Sequence, residues 1–141
     1  MKNTFKRLLT TITLLLIVLL FTGCSGANYT MTGSHNKTKI EVTADDGAYG
    51  EGFVMDINKN QIISIESELE EGELQIDFNE VINTADADES DNYEIISLIK
   101  TINVKPGDKI ELSLDYVGDF MPCLTAVGKT TGTVYINVVK P

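Results

Sequence analysis

The sequence has no tryptophan, one histidine and two cysteines among its 141 residues. The single histidine, His35, excludes a zinc site built from several histidines, and it lies in a small polar segment that suits a catalytic base poorly. No glycine-rich loop opens a helical pattern, so the common phosphate-binding motif is absent. Acidic residues are plentiful, so a carboxylate-based glycan hydrolase stays an alternative, although few aromatic rings are present to hold a sugar. We expect a non-enzymatic protein without a cofactor.

Basic residues are also scarce, with 11 Lys and Arg against 21 Asp and Glu, which gives a net charge of -10. Three of the basic residues, Lys2, Lys6 and Arg7, precede an apolar leader, so without them the rest of the chain has a net charge near -13. Nucleic-acid binding needs a basic surface and is therefore excluded. Electrostatic attraction to anionic lipids is disfavoured for the same reason.

The leader runs from Leu8 to Cys24 and reads LLTTITLLLIVLLFTGC. Its uninterrupted apolar core, Leu14 to Phe21, is much shorter than the ~20 residues of a membrane-spanning helix. A basic start, an apolar core and a small residue before a cleavage site are typical of a secretory signal peptide. An ordinary secretory leader with an incidental cysteine, or an uncleaved N-terminal anchor, are the alternatives.

The end of the leader, Phe21-Thr22-Gly23-Cys24, resembles the lipobox of bacterial lipoproteins. It departs from the family pattern in having Phe21 where leucine is usual. The resemblance implies cleavage between Gly23 and Cys24 and attachment of fatty acids such as palmitate to Cys24. Two or more lipid chains anchor a protein stably, so the resemblance implies a position on the outer face of the bacterial cell membrane.

Three segments follow from this interpretation: a signal peptide at 1–23, a lipidated cysteine with a tether at 24–37, and one domain at 38–141. Residues 25–37 are small and polar, although a short strand at Tyr29–Thr32 is an alternative. If Cys24 carries lipid, Cys123 has no partner for a disulfide within the chain. We expect Cys123 to be a small buried residue, with a reactive thiol as the alternative.

From Thr38 onward, apolar and polar residues alternate with the period of two that is typical of half-buried β-strands. The segment Gln61–Glu71 suits a strand or a helix, and its isoleucines favour the strand. Pro122 predicts that the strand around it lies at an edge. Turns are predicted at Asp45–Gly47, Asn58–Asn60, Glu71–Gly72, Lys105–Asp108, Gly118–Asp119 and Gly128–Gly132. The pattern predicts an all-β fold after an N-terminal signal helix: a two-sheet antiparallel β-sandwich of jelly-roll type with about eight strands.

Three runs have the turn-and-strand pattern of known domains: residues 71–76, residues 104–112 and residues 132–136. They resemble small β-sandwich lipoproteins of Gram-positive bacteria and the bacterial pre-peptidase C-terminal (PPC) type of jelly-roll domain. The chain departs from the PPC pattern by a long acidic insert after Phe78. The resemblance implies an accessory or binding role outside the cytoplasm and carries over no catalytic residue.

The acidic insert contains Asp86, Asp88, Ser90 and Asn92 at every second position, as at the start of a calcium loop. Asp91 stands where an EF-hand needs glycine, and Ser97 where it needs glutamate, so an EF-hand is excluded. A looser Ca²⁺ site is the alternative to a solvated loop, and we expect the solvated loop and assign no metal ligand. The cluster of Glu66, Glu68, Glu70, Glu71 and Glu73 predicts a second solvated surface.

Together these features predict a membrane-tethered lipoprotein that acts as a non-enzymatic binding or accessory module. Its predicted partners are the membrane, through the lipid anchor, and an envelope protein or glycan. A structural envelope protein without a small ligand is the alternative, and the glycan hydrolase comes third.

Overall fold

The computed structural model describes residues 28–84 and 92–141. The predicted signal peptide and the centre of the acidic insert lie outside these residues. Eight antiparallel strands are present: β1 (Asn28–Ser34), β2 (Lys37–Ala44), β3 (Tyr49–Glu51), β4 (Met55–Ile57), β5 (Ile62–Asn83), β6 (Tyr93–Val104), β7 (Lys109–Leu112) and β8 (Gly118–Val139). The prediction of an all-β, antiparallel fold with about eight strands is confirmed, although the strands form one sheet and not the two separate sheets that were predicted. The described residues contain no helix that is long and apolar enough to cross a membrane.

Two strands of 22 residues each, β5 and β8, run through both halves of the fold. Their ends at 62–69 and 132–139 form a five-stranded half in the order β1-β2-β8-β5-β7. Their other ends, at 73–83 and 118–127, pair with β6 on one side and with β3 and β4 on the other. The sheet therefore folds over itself around one core, whose fully buried members include Ile40, Ile65, Ile76, Phe78, Phe120, Leu124 and Ile136.

The turns predicted at Glu71–Gly72 and Gly128–Gly132 are wrong, because both sites are bends within continuous strands. The turn predicted at Gly118–Asp119 is also wrong, because these residues begin β8. Gly72 has a φ of 79°, and a side chain at this position would collide with the backbone of Lys129 and Thr130 on the neighbouring strand. The pairing register shifts on both sides of Glu71. Glycine therefore allows β5 to bend around the core without ending.

The strand predicted for Gln61–Glu71 is confirmed, and the helix alternative is excluded. β5 starts at Ile62 and turns Ile63, Ile65 and Leu69 toward the core. The short strand considered at Tyr29–Thr32 is also present, and it extends over the whole of β1. The sheet thus includes Asn28–Ser34, inside the stretch predicted to be a tether, because Tyr29 and Met31 pack against the core between outward-facing threonines.

Pro122 lies inside β8, which has neighbours on both sides, so the prediction of an edge strand is wrong. The carbonyl oxygen of Pro122 accepts a hydrogen bond from the Gly52 N–H at 2.8 Å. The N–H and C=O groups of one strand residue point to the same side of the strand. Proline has no N–H, and the break between β3 and β4 lies where that donor would point. The proline therefore occupies the point where the neighbouring strand is interrupted.

Candidate functional site

A polar groove crosses the outer surface of the five-stranded half. The alternation of β2, β5 and β8 turns one set of side chains to the core and the other to this surface. Lys39, Tyr135 and Glu66 lie side by side on neighbouring strands, since Tyr135 pairs with both of the other residues. The groove has a volume of about 420 Å³ and is lined by Thr32, Gly33, Lys37, Thr38, Lys39, Glu66, Glu68, Tyr135 and Asn137. We call it the β2–β8–β5 groove.

The β2–β8–β5 groove holds charges of both signs beside one aromatic ring. Lys39 Nζ lies 3.0 Å from Glu41 Oε1. The hydrogen bond that Lys39 donates to Glu41 and the negative charge of Glu41 raise the pKa of Lys39, so the ammonium stays protonated. Glu66 and Glu68 supply exposed carboxylates, and Tyr135 is half-buried. Such a surface can bind a polar ligand that has one apolar face. The groups on both sides of Tyr135 can form hydrogen bonds with the ligand, and the Tyr135 ring can pack against its apolar face.

Cys123 is on the outer face of the other half of the sheet, where neighbouring side chains cover it and leave it only 2% exposed. It packs with Val81 and Met121 in a small cluster that Val54 and Tyr93 help to cover. Burial raises the pKa of Cys123, and hydrogen bonds from Tyr49 and Asn79 oppose that shift. The prediction of a buried cysteine is confirmed. A buried thiol that stays protonated is a poor nucleophile.

Only the two ends of the acidic insert belong to the described residues. The Thr84 N–H donates a hydrogen bond of 2.7 Å to the Asn92 carbonyl oxygen, which closes the base of the insert. Glu94 follows in β6 and is exposed. Asp86, Asp88, Glu89, Ser90 and Asp91 lie outside the described residues, as do Gly23 and Cys24. Within 28–84 and 92–141, no group of three His, Cys, Asp or Glu side chains is placed to hold a metal ion.

The sequence does not predict the groove, although it predicts that some of its residues face outward. Glu66 and Glu68 are predicted to belong to a solvated surface, and both are exposed. His35 lies in the turn between β1 and β2, where its carbonyl oxygen accepts the Asp56 N–H at 2.9 Å. Alternation alone marks Lys39 and Tyr135 as outward-facing. The sequence does not give the pairing register that brings them next to Glu66.

Comparisons with known proteins give no family for this chain. No family model matches it, and no curated protein matches it. Among solved structures, it is similar to Drosophila melanogaster CENP-C bound to CAL1, with 9% identity, 92% of this chain and 98% of that chain covered, and a TM-score of 0.32. It is also similar to the Drosophila melanogaster CENP-C cupin domain, with 9% identity, 82% and 75% covered, and a TM-score of 0.31. At these TM-scores, neither structure supports an inference about what this chain binds. The resemblance to PPC domains stays a prediction.

Proposed function

We propose that this chain is a lipid-anchored bacterial lipoprotein that binds a polar ligand at the outer face of the cell membrane without catalysing a reaction. The basic start, the short apolar core and the lipobox-like Phe21–Cys24 support secretion and lipidation. The net charge of -10 supports a covalent anchor, because an acidic surface gains nothing from anionic lipid.

The observation that carries the binding role is the β2–β8–β5 groove. Its walls combine amide, hydroxyl, ammonium and carboxylate groups around Tyr135, on the outer surface of strands whose other face packs the core. The backbones of such strands are held in place by the core before the ligand arrives, which lowers the entropy cost of binding. A glycan of the cell envelope fits this chemistry, since sugars offer many hydroxyl groups and an apolar ring face.

The test is a co-sedimentation assay of the protein with purified cell-wall glycan. We expect the wild-type protein to bind, and Tyr135→Ala to weaken binding about tenfold or more, because the ring and the hydroxyl are both lost. Tyr49→Ala is the matched control, since Tyr49 is an exposed tyrosine on β3 outside the groove. It should bind like the wild type.

Two other outcomes separate the alternatives. Capture of an envelope protein in place of glycan, lost in Tyr135→Ala, would keep the binding role and change the ligand class. Failure of both glycan and envelope proteins to bind would contradict the binding module and favour a structural envelope protein. Release of soluble sugars that Glu66→Gln abolishes would favour the hydrolase.

A further inference from the structure

β6 is an edge strand with an unusual sequence. It pairs with β5 only, and no strand of the described chain covers its other edge. The strand is 12 residues long and contains no proline. Ile95, Ile96 and Leu98 are 41%, 51% and 58% exposed. Natural proteins protect such edges with charges, prolines, β-bulges or short strands, and β6 has charges and register shifts but leaves these three apolar side chains open to another strand.

The charges of β6 are arranged symmetrically. Glu94 and Lys100 are its only charged residues, and each lies three positions from Ser97. In a regular strand, residues three apart point to opposite faces. In β6, each of two register shifts against β5 adds one residue, so residues three apart can point to the same face. Glu94, Ser97 and Lys100 pair with Ile82, Glu80 and Phe78, which alternate on β5, so all three share one face of the sheet.

We propose that β6 pairs with β6 of a second copy of this chain, antiparallel and around a two-fold axis at Ser97. In this register, Glu94 of each copy lies opposite Lys100 of the other, which gives two ion pairs of opposite charge across the interface. Ile96 then lies opposite Leu98 of the other copy, so the exposed apolar side chains cover each other. An axis at Ile96, Leu98 or Ile99 places neither charge opposite its complement.

The neutrality of β6 favours pairing at this strand. The chain has a net charge of -10, but Glu94 and Lys100 cancel within β6, so the two strands add no net repulsion of their own. The acidic insert precedes Tyr93, and Tyr93 lies opposite Thr101 of the other copy. Eight residues of extended strand separate the two Tyr93 residues by about 27 Å. This distance exceeds the Debye length of about 8 Å at physiological salt, so charges next to the two Tyr93 residues hardly repel each other.

The first test is cross-linking of the full chain carrying Ser97→Cys, in whole cultures, with a short bis-maleimide. The result does not depend on the lipid anchor or on the groove, so it is separate from the proposed function. Ser97 is exposed and lies on the axis, so we expect a cross-linked dimer. Glu111→Cys on β7, exposed and in the other half of the fold, is the control and should give none. No product at Ser97→Cys, or equal products at both positions, would overturn the proposal.

The second test uses charge reversal in the Ser97→Cys background. Glu94→Lys, or Lys100→Glu, places two like-charged pairs across the axis, and we expect the cross-linked yield to fall about tenfold. Mixing the two variants restores both ion pairs, because each charge then meets its opposite on the other chain. Recovery in the mixture also shows that both variants are folded. An unchanged yield in the single variants, or no recovery in the mixture, would overturn the proposal.

Discussion

The hydroxyl of Thr130 lies 3.0 Å from the carbonyl oxygen of Glu73, across the point where both long strands bend. Thr130 is fully buried, and 57 residues separate it from Glu73 along the chain. This hydrogen bond joins β8 to β5 at the place where their regular pairing is interrupted. A buried backbone oxygen there needs a partner, and the threonine side chain provides it.

The bend at Gly72 leads to the first prediction. Gly72→Ala should lower the free energy of unfolding by roughly 1–3 kcal/mol from the positive φ alone, and by more from the collision with Lys129. Urea unfolding followed by circular dichroism measures the change. Gly47→Ala is the control, because Gly47 has nearly the same φ, 78°, but nothing within 4 Å of an added methyl group. Equal losses in the two variants would show that Gly72 is not packed at a corner.

A second prediction concerns the core. Ile76 is fully buried in β5, and Leu112 is 8% exposed at the end of β7. Ile76→Ala should cost about 2–5 kcal/mol of stability, through lost burial and the cavity left behind. Leu112→Ala should cost less, since its site can partly collapse toward solvent. Val127→Ala, at a side chain 42% exposed, is the control and should change stability by less than about 0.5 kcal/mol. A cost below about 1 kcal/mol at Ile76 would contradict its place in the core.

Much of the fold could be predicted, because its strands obey a simple alternation. The alternation of apolar and polar residues at 73–78 predicts that Leu74, Ile76 and Phe78 face inward, and all three are fully buried. The bends could not be predicted, since glycine suits a tight turn and a bulge equally well. Pro122 was misplaced for a related reason. Proline has no backbone N–H, so it needs a strand position that has no acceptor opposite this missing donor. The sequence does not show that a break in a neighbouring strand provides such a position.

The candidate groove is harder to predict, because its residues are far apart in the sequence. Lys39, Glu66 and Tyr135 come from three strands, and Tyr135 is 69 positions from Glu66 along the chain. Their contact depends on the order β2-β8-β5 and on a register fixed by core packing. Cys123 was easier to place, because a free cysteine is usually a small buried residue.

The third prediction is a pH dependence. Burial raises the pKa of Cys123 from 9.0 and that of Tyr29 from 10.0. Both groups lose their proton more easily in the unfolded chain than in the folded one. Stability should therefore be unaffected by them below pH 9 and fall as pH rises beyond it. Urea unfolding between pH 7 and pH 10.5 tests this.

Cys123→Ala separates the two groups. The variant should lose the part of the decline that begins near pH 9. It should keep the part near pH 10 and above to which Tyr29 and Tyr116 contribute, because burial raises the pKa of both. If the decline is identical in the variant and in the wild type, the thiol is not the group that titrates.

The fourth prediction concerns the anchor. Cys24→Ser should abolish fatty-acid labelling, because a serine oxygen cannot form the thioether. The variant should be secreted or kept at the membrane by an uncleaved leader. Metabolic labelling with a palmitate analogue, followed by cell fractionation, measures both effects. Cys123→Ser is the matched control and should label like the wild type. Equal labelling of Cys24→Ser and wild type would contradict lipidation at Cys24.

The last prediction concerns the acidic insert, which we expect to be solvated and not to bind Ca²⁺ specifically. A specific site would stabilise the native state by RT ln(1 + [L]/Kd), and extracellular Ca²⁺ sites commonly have Kd values of about 10⁻⁴–10⁻³ M. General screening of the negative charge would also raise the melting temperature. The measurement is therefore the rise at 5 mM CaCl₂ over NaCl of equal ionic strength. It should be the same in the wild type, in the double variant Asp86→Asn, Asp88→Asn, and in Glu70→Gln, Glu71→Gln, which removes two charges elsewhere. A rise that is smaller only in the Asp86, Asp88 variant would reveal a Ca²⁺ site.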